Sequence, residues 1–429
     1  MMDNVREISN SLLGDSYYEI QHKSGLKIFV YPKDGYSTTY AVFGTNYGSI
    51  DTFIKKSGED AVAIPEGTAH FLEHKLFESE ELDAFERFAK TGANANAYTS
   101  FDKTCYLFSC SSNFKENLGI LLDFVQHPYF TQKTVEKEQG IIGQEIRMYQ
   151  DEPSWQVLFN LLKCLYHKHP VKIDIAGTVD SIAEITADML YDCYNNFYNL
   201  GNMVLAVVGN TTVEEVLEVA DANLEAKELV KIERADYGEP EEIVSDYFEE
   251  ALAVSQPLFT LGFKESTKGG ELTLKDKILT SLLLEYISGD TSPLYERLFN
   301  DGLINTGFGS EYFTGYGYRA VIFSGESRDP KAVADAIKAE IRKVHAEGIR
   351  EEDFERIRRM HYGRAIMDYN DVDGLANELV AATFEGYGLF DEIEIYKTLT
   401  LKDAEDRLKD QMREEFSAMS VIIPKGETP

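Results

Sequence analysis

The chain has 429 residues, 43% of them hydrophobic and 12% aromatic, enough to build more than one buried core and too apolar for a disordered or fibrous polymer. Seventy-four acidic residues against 42 basic ones leave a formal net charge of −32. That excess disfavours nucleic acid as a partner, because phosphate-backbone binding rests on neutralisation by Lys and Arg.

The N-terminal stretch shows no basic segment followed by an apolar one, the mark of a secretory signal. No apolar run of about 18 residues occurs anywhere, so no membrane span is expected. Cys105, Cys110, Cys164 and Cys193 are too sparse for a disulfide scaffold and form no Cys-x-x-Cys pair. A reducing cytoplasm is the expected location. Leu26 to Tyr31 and Thr39 to Gly44 predict strands.

The segment Ile64 to Phe77 follows, reading Ile-Pro-Glu-Gly-Thr-Ala-His-Phe-Leu-Glu-His-Lys-Leu-Phe. On a helix, His70 and His74 stand at i and i+4, so their imidazoles converge on one point with the spacing of a zinc ligand pair. Glu73 lies near the same face, where a carboxylate can take the proton of an activated water. Phe71, Leu72, Leu76 and Phe77 supply apolar cover. Two histidines incidentally satisfied in a buried helix are the plainer account of such a pair, but the ordered His-x-x-Glu-His set is much rarer by chance.

Tyr106 to Cys110 predicts an apolar strand and Glu116 to Val125 a helix. A longer helix is expected over Thr134 to Gln150. There Glu138 and Glu145, seven residues apart, point to one side, beside an apolar stripe of Ile141, Ile142 and Ile146. A carboxylate from this helix completes a two-histidine, one-carboxylate zinc set; alternatively Glu136, Glu138 and Glu145 form a solvated face. His167 and His169 read as a surface loop. Met203 to Val208 predicts a fully buried strand.

A faint repeat spans the chain. The strand at 106 returns at Val321 to Gly325, 215 positions on, followed by a helix over Pro330 to Val344, and the helix at Val135 returns at Phe354 to Met367, 219 positions on. The expected organisation is α+β, with homologous halves at residues 1–225 and 254–429 and a charge-rich linker at 226–253. Each half is a mostly antiparallel sheet with helices packed on it.

His70-Phe-Leu-Glu73-His74, followed some seventy residues later by Glu138 and Glu145, resembles the pitrilysin and mitochondrial processing peptidase family of zinc peptidases, the inverzincins. Gly92-Ala-Asn-Ala-Asn96-Ala97-Tyr98-Thr99-Ser100, with Asp102 and Thr104, is similar to that family's Gly-x-x-Asn-Ala-x-Thr strand. The likeness covers essentially the whole chain. It implies a clamshell of two homologous halves, zinc on His70, His74 and Glu145, Glu73 as general base, and Glu138 orienting a ligand from behind. Asn96, Ala97 and Tyr98 would then lie on an edge strand that receives an extended peptide by strand addition.

Two departures stand out. The interval from His74 to Glu145, 71 positions, is slightly shorter than is usual in the family. In the second half, the family's substrate-contacting Arg and Tyr flank a Gly-Leu turn, and Phe299 and Asn305 stand in their places here; Arg297, Tyr312, Tyr316 and Tyr318 are the nearby substitutes. The position 219 after Glu145 is Arg364, and no His-x-x-Glu-His recurs. The resulting expectation is a zinc endopeptidase, the metal-bearing subunit of a heterodimer whose sister chain supplies Arg and Tyr, with a homodimer or a self-sufficient monomer next. The competing readings are a non-catalytic peptide-binding or structural subunit of a peptidase complex and a zinc hydrolase acting on something other than peptides.

Overall fold

The computed structural model describes residues 4–55, 60–80, 82–226, 230–268 and 270–426; residues 227–229 of the expected linker lie outside them. Packing divides the chain into two compact units, neither contiguous. Residues 1–146, 174–235 and 366–390 form one, and residues 147–173, 236–365 and 391–429 form the other.

The strands, in chain order, are β1 (Asn4–Asn10), β2 (Asp15–Gln21), β3 (Lys27–Pro32), β4 (Thr39–Thr45), β5 (Phe53–Ile54), β6 (Val62–Ala63), β7 (Asn94–Thr99), β8 (Thr104–Cys110) and β9 (Met203–Gly209) in the first unit. The second unit has β10 (Tyr247–Leu252), β11 (Leu258–Lys264), β12 (Gly309–Gly315), β13 (Tyr318–Glu326) and β14 (Ser417–Pro424). The first sheet runs β1-β2-β3-β9-β4-β8-β7 and the second β10-β14-β11-β13-β12. All neighbours are antiparallel except β3 with β9 and β10 with β14. The α+β class with a mostly antiparallel sheet in each half thus holds.

Sequence decides which strands are central. β9, Met-Val-Leu-Ala-Val-Val-Gly, is buried at every residue, as predicted, and pairs on both edges. The edge strands are polar: β1 is largely exposed, and β7, Asn-Ala-Asn-Ala-Tyr-Thr, alternates small and polar residues. Such strands tolerate an unpaired edge because little apolar surface is left in water.

Both sheets have two packed faces, read from the period of two along a strand. In the first, Ala41 and Phe43 of β4 join the core built with Phe71, Leu72, Leu118 and Leu121. Gly44, one residue on, faces the opposite way, against the helix Val372–Glu385. In the second sheet, Phe259, Leu261 and Phe263 enter the core with Ile278, Leu282 and Val333, and Gly262 faces a helix, Pro153–Leu165. The two helices stand 219 positions apart, the interval of the repeat. Each packs on the sheet of the other sequence half.

Two expectations fail locally. Of the two histidines expected on a surface loop, His167 is exposed but His169 is buried, 1% exposed. Its Nε2 donates to Tyr316 O at 2.9 Å and its Nδ1 accepts from the Val171 N–H, and burial lowers its pKa to about 4. A distant residue pins the segment: the Glu239 carboxylate accepts the backbone N–H groups of His167, Lys168 and His169, leaving His167 and Lys168 exposed while the His169 ring is buried. Ile141 is 45% exposed, whereas Ile142 and Ile146 are buried, so the apolar stripe of that helix is narrower than expected.

Candidate metal centre

The helix α1 (Thr68–Leu76) begins at Gly67, where φ is 85° and an added Cβ would lie 2.3 Å from Ala176 O. Only glycine combines that backbone with so close an approach. Phe71, Leu72 and Leu76 are buried and hold the helix down, leaving His70, Glu73 and His74 on one side. Their rings are neighbours, as the i, i+4 spacing requires: the His70 and His74 centroids lie 4.5 Å apart with the planes inclined at 60°.

The next two helices are α2 (Ala84–Thr91) and α3 (Phe114–Gln126); α4 (Gln132–Gln150) follows and meets α1 through side chains. Val135, Ile142 and Ile146 bury one stripe of it, which turns Glu138 and Glu145 toward the histidines. His70 Nε2 lies 3.7 Å from Glu145 Oε1, and His74 Nε2 lies 3.6 Å from Glu145 Oε2. Glu138 is buried, and its Oε1 is 3.0 Å from His74 Nδ1. That contact places the proton of a neutral His74 on Nδ1 and leaves the Nε2 lone pair facing Glu145.

The electrostatics follow. Burial, then the neighbouring His74, lowers the pKa of His70 to about 3, so its imidazole is neutral, and its buried Nδ1 has no hydrogen-bond partner among the described residues. For His74, burial opposes the charged form, but Glu138, Glu73 and Glu145 outweigh it and raise the pKa. Burial raises the pKa of Glu73 against a hydrogen bond from Thr99.

Two imidazole nitrogens and a carboxylate therefore face one point, at separations too long for direct hydrogen bonds. Among the described residues, His70, His74 and Glu145 are the one group of at least three His, Cys, Asp or Glu side chains whose ligand atoms all lie within 4.8 Å of one another. Adjacent donors of a tetrahedral zinc, bonded at about 2.0–2.2 Å, stand about 3.4 Å apart. The donor set and its spacing fit that ion.

Glu73 Oε2 accepts the hydroxyl proton of Thr99 at 2.8 Å. Thr99 closes β7, the outer strand of its sheet, paired among the described residues only with β8. Of the residues expected to meet a peptide, Asn96 is exposed and its Oδ1 accepts the Ala97 N–H at 2.9 Å. The Tyr98 hydroxyl donates to Asn377 Oδ1 at 2.8 Å. Thr99 falls within the sequence motif, yet its partnership with Glu73, 26 positions away, has no local signature.

In the second unit, Phe299 is 45% exposed and stacks on Tyr295. Asn305 donates to Glu326 Oε2 at 2.9 Å. Tyr312 donates to Glu265 at 2.6 Å and is itself met by Arg407 at 2.7 Å, and Tyr318 is buried. All four cysteines are buried free thiols, and among the described residues no helix is long and apolar enough to cross a membrane.

Comparison with known proteins agrees with the arrangement. Residues 61–179 match the family described as "Insulinase (Peptidase family M16)" and residues 184–360 the one described as "Peptidase M16 inactive domain". An "Uncharacterized zinc protease YmfH" of Bacillus subtilis is 38% identical over 428 residues, spanning 98% of this chain and 100% of that one. A crystal structure of an M16-like peptidase from Alicyclobacillus acidocaldarius is 34% identical with a TM-score of 0.91, each chain covered to 99%. Pitrilysin shares the fold at a TM-score of 0.76 and 16% identity; the match covers 99% of this chain and 47% of that one.

Proposed function

The chain belongs to peptidase family M16, and from that premise we propose that it is a zinc-dependent endopeptidase, the metal-bearing subunit of a heterodimer, hydrolysing peptides or unfolded segments bound as extended strands. The observation that carries this reading is the convergence of His70, His74 and Glu145 on one point with Glu73 beside it, since a binding module needs no general base. Zinc held by these three residues supplies polarisation of the scissile carbonyl and lowers the pKa of water toward about 7.

The chain's own groups do the rest. The unpaired edge of β7, at Asn96, Ala97 and Tyr98, binds the peptide backbone by strand addition. Glu73 takes the proton of the attacking water and returns it to the leaving amine. Glu138 holds His74 by Nδ1, fixing tautomer and ring direction.

Phe299 and Asn305, an apolar ring and an amide already bonded to Glu326, are poor groups for gripping a substrate backbone, which supports a sister chain supplying Arg and Tyr, or a second copy of this one. Pitrilysin's chain being about twice this length supports the same pairing. The same two positions favour, as a second reading, a peptide-binding subunit without turnover. The four buried thiols support a reducing cytoplasm.

The test is zinc content together with cleavage of a quenched fluorescent peptide mixture, for wild type and Glu73→Gln, each with and without a candidate sister chain. One zinc per chain is expected in both, with cleavage by wild type in the presence of the partner and a loss of about 10²–10⁴-fold in Glu73→Gln. A chain that holds no zinc, or a Glu73→Gln variant that cleaves as fast as wild type, overturns the proposal.

A further inference from the structure

A glutamate three torsions long does not place its own carboxylate: free, it spreads over several rotamers, and a misplacement of about 1 Å at a reacting group can cost two orders of magnitude. Glu73 is held by one residue, Thr99, through its hydroxyl and its backbone N–H. Thr99 Oγ1 donates to Glu73 Oε2 at 2.8 Å, and Thr99 is itself constrained. Its β-branched side chain has few χ1 choices, and it pairs across the sheet with the buried Thr104, whose hydroxyl donates to Tyr47 O at 2.9 Å and lies 3.4 Å from Thr99 Oγ1.

The position of Thr99 in the sheet adds the second part. The Ala97 N–H turns to Asn96 Oδ1, away from β8. Residues two apart on a strand direct their backbone groups to the same edge, so the N–H of Thr99 points to that side as well, where it is a second donor to the Glu73 carboxylate. A strand added along β7 therefore runs up to the residue that grips Glu73. The docking edge and the base meet in one amino acid.

We propose that Thr99 is a positioning residue of the hydrolysis: its hydroxyl holds Oε2 of Glu73 at the end of the docking strand and so sets the carboxylate where it receives the water's proton. This rests on the peptidase reading above. Thr99 forms no bond to substrate and exchanges no proton; it stays a hydrogen-bond donor while the proton passes from water to Glu73 and on to the amine.

The experiment is a double-mutant cycle on the full chain, assayed with the peptide mixture and with the partner chain if turnover requires it. Thr99→Val, which keeps the branched shape, Thr99→Ser, which keeps the hydroxyl, Glu73→Gln and Glu73→Gln/Thr99→Val are compared. Besides turnover, melting temperature, zinc stoichiometry and the Kd of a labelled peptide for the Glu73→Gln forms are measured.

Thr99→Val is expected to lower kcat about 10–100-fold, a part of the full general-base contribution, with KM, zinc content and peptide Kd unchanged. Thr99→Ser should recover most of the loss, and in the Glu73→Gln background Thr99→Val should cost nothing further. Undiminished kcat in Thr99→Val, or an equal loss in both backgrounds, overturns the positioning role while leaving the peptidase reading in place. If Thr99→Val fails to fold, Thr99→Ser decides: a loss there as large as that of Glu73→Gln also overturns the role. A wild type that binds zinc but cleaves nothing overturns the peptidase reading, and this inference with it.

Discussion

Glu138 Oε1 lies 3.0 Å from His74 Nδ1, from behind the ring, while the other ring nitrogen faces Glu145. Burial makes this contact more than a surface ion pair, since Glu138 is 7% exposed. Outer carboxylates of this kind raise ligand basicity and fix ring direction, and their loss typically costs about 10–100-fold in metal affinity. Glu138→Gln is expected to weaken zinc by that range in a chelator competition, with zinc still bound at saturation. Unchanged affinity would mean that His74 is oriented by packing alone.

Glu145 contributes the only carboxylate of the three-donor set. Glu145→Gln keeps the shape but removes the anion, so zinc stoichiometry after dialysis should fall well below one per chain, as it should for His70→Ala. Full occupancy in Glu145→Gln would move the third ligand elsewhere, with Glu138 the first candidate.

Phe299 and Asn305 give the partner proposal a direct test. Phe299→Arg/Asn305→Tyr restores the family's groups in one chain, and Phe299 is exposed enough to be replaced without opening a core. The double variant should show peptide cleavage without a sister chain, above the wild-type background. No gain, with folding and zinc intact, would argue against these positions as the missing contacts.

Glu239 predicts an acid-sensitive step in stability. Its carboxylate accepts three backbone N–H groups and Lys264 Nζ at 2.6 Å. Burial opposes the charge, but Lys264 and those N–H groups outweigh it and hold the pKa at about 2, below the ordinary 4.5. A depressed carboxylate pKa contributes stability that is complete above the unfolded value and is lost as pH falls through the folded one. Urea unfolding of the zinc-free chain should therefore weaken from about pH 4.5 toward pH 2. Glu239→Gln should be less stable by about 2–4 kcal/mol at neutral pH and should lose part of that slope; an identical slope would exclude Glu239 as its source.

Gly44 and Gly262 predict where packing is tight. A Cβ on Gly44 would sit 2.6 Å from Val380 Cγ1, and one on Gly262 2.9 Å from Leu161 Cδ2. Gly44→Ala should destabilise by about 1–3 kcal/mol, and Val380→Ala in the same chain should recover part of it. Additive losses in a urea titration would show that the helix Val372–Glu385 does not press on that glycine.

His70, Glu73 and His74 are legible in the sequence because helical periodicity is local: once residues 68–76 are helical, three chemical groups must share a side. The buried strands at β4, β8, β9 and β13 are legible for a similar reason, their apolar runs being set by burial on both faces. The hairpin of β1 and β2 is not, since an edge strand with polar residues needs no alternation. Nor is the burial of His169, whose backbone N–H is bound by a carboxylate 70 positions away.

The sequence by itself thus determined the fold class, the family likeness and two imidazoles with their neighbouring acid. Glu138 and Glu145 were candidates that residue spacing alone left equal. Tertiary structure separates their surroundings, with the Glu138 carboxylate at the Nδ1 of His74 and that of Glu145 near both Nε2 atoms. It also decided that β7 ends its sheet beside Glu73, and that Pro153–Leu165 and Val372–Glu385 each pack on a sheet of the opposite sequence half. These relationships join residues from 26 to more than 300 positions apart. Local spacing constrains only neighbours along an element, whereas which elements meet is set by the joint burial of the whole core.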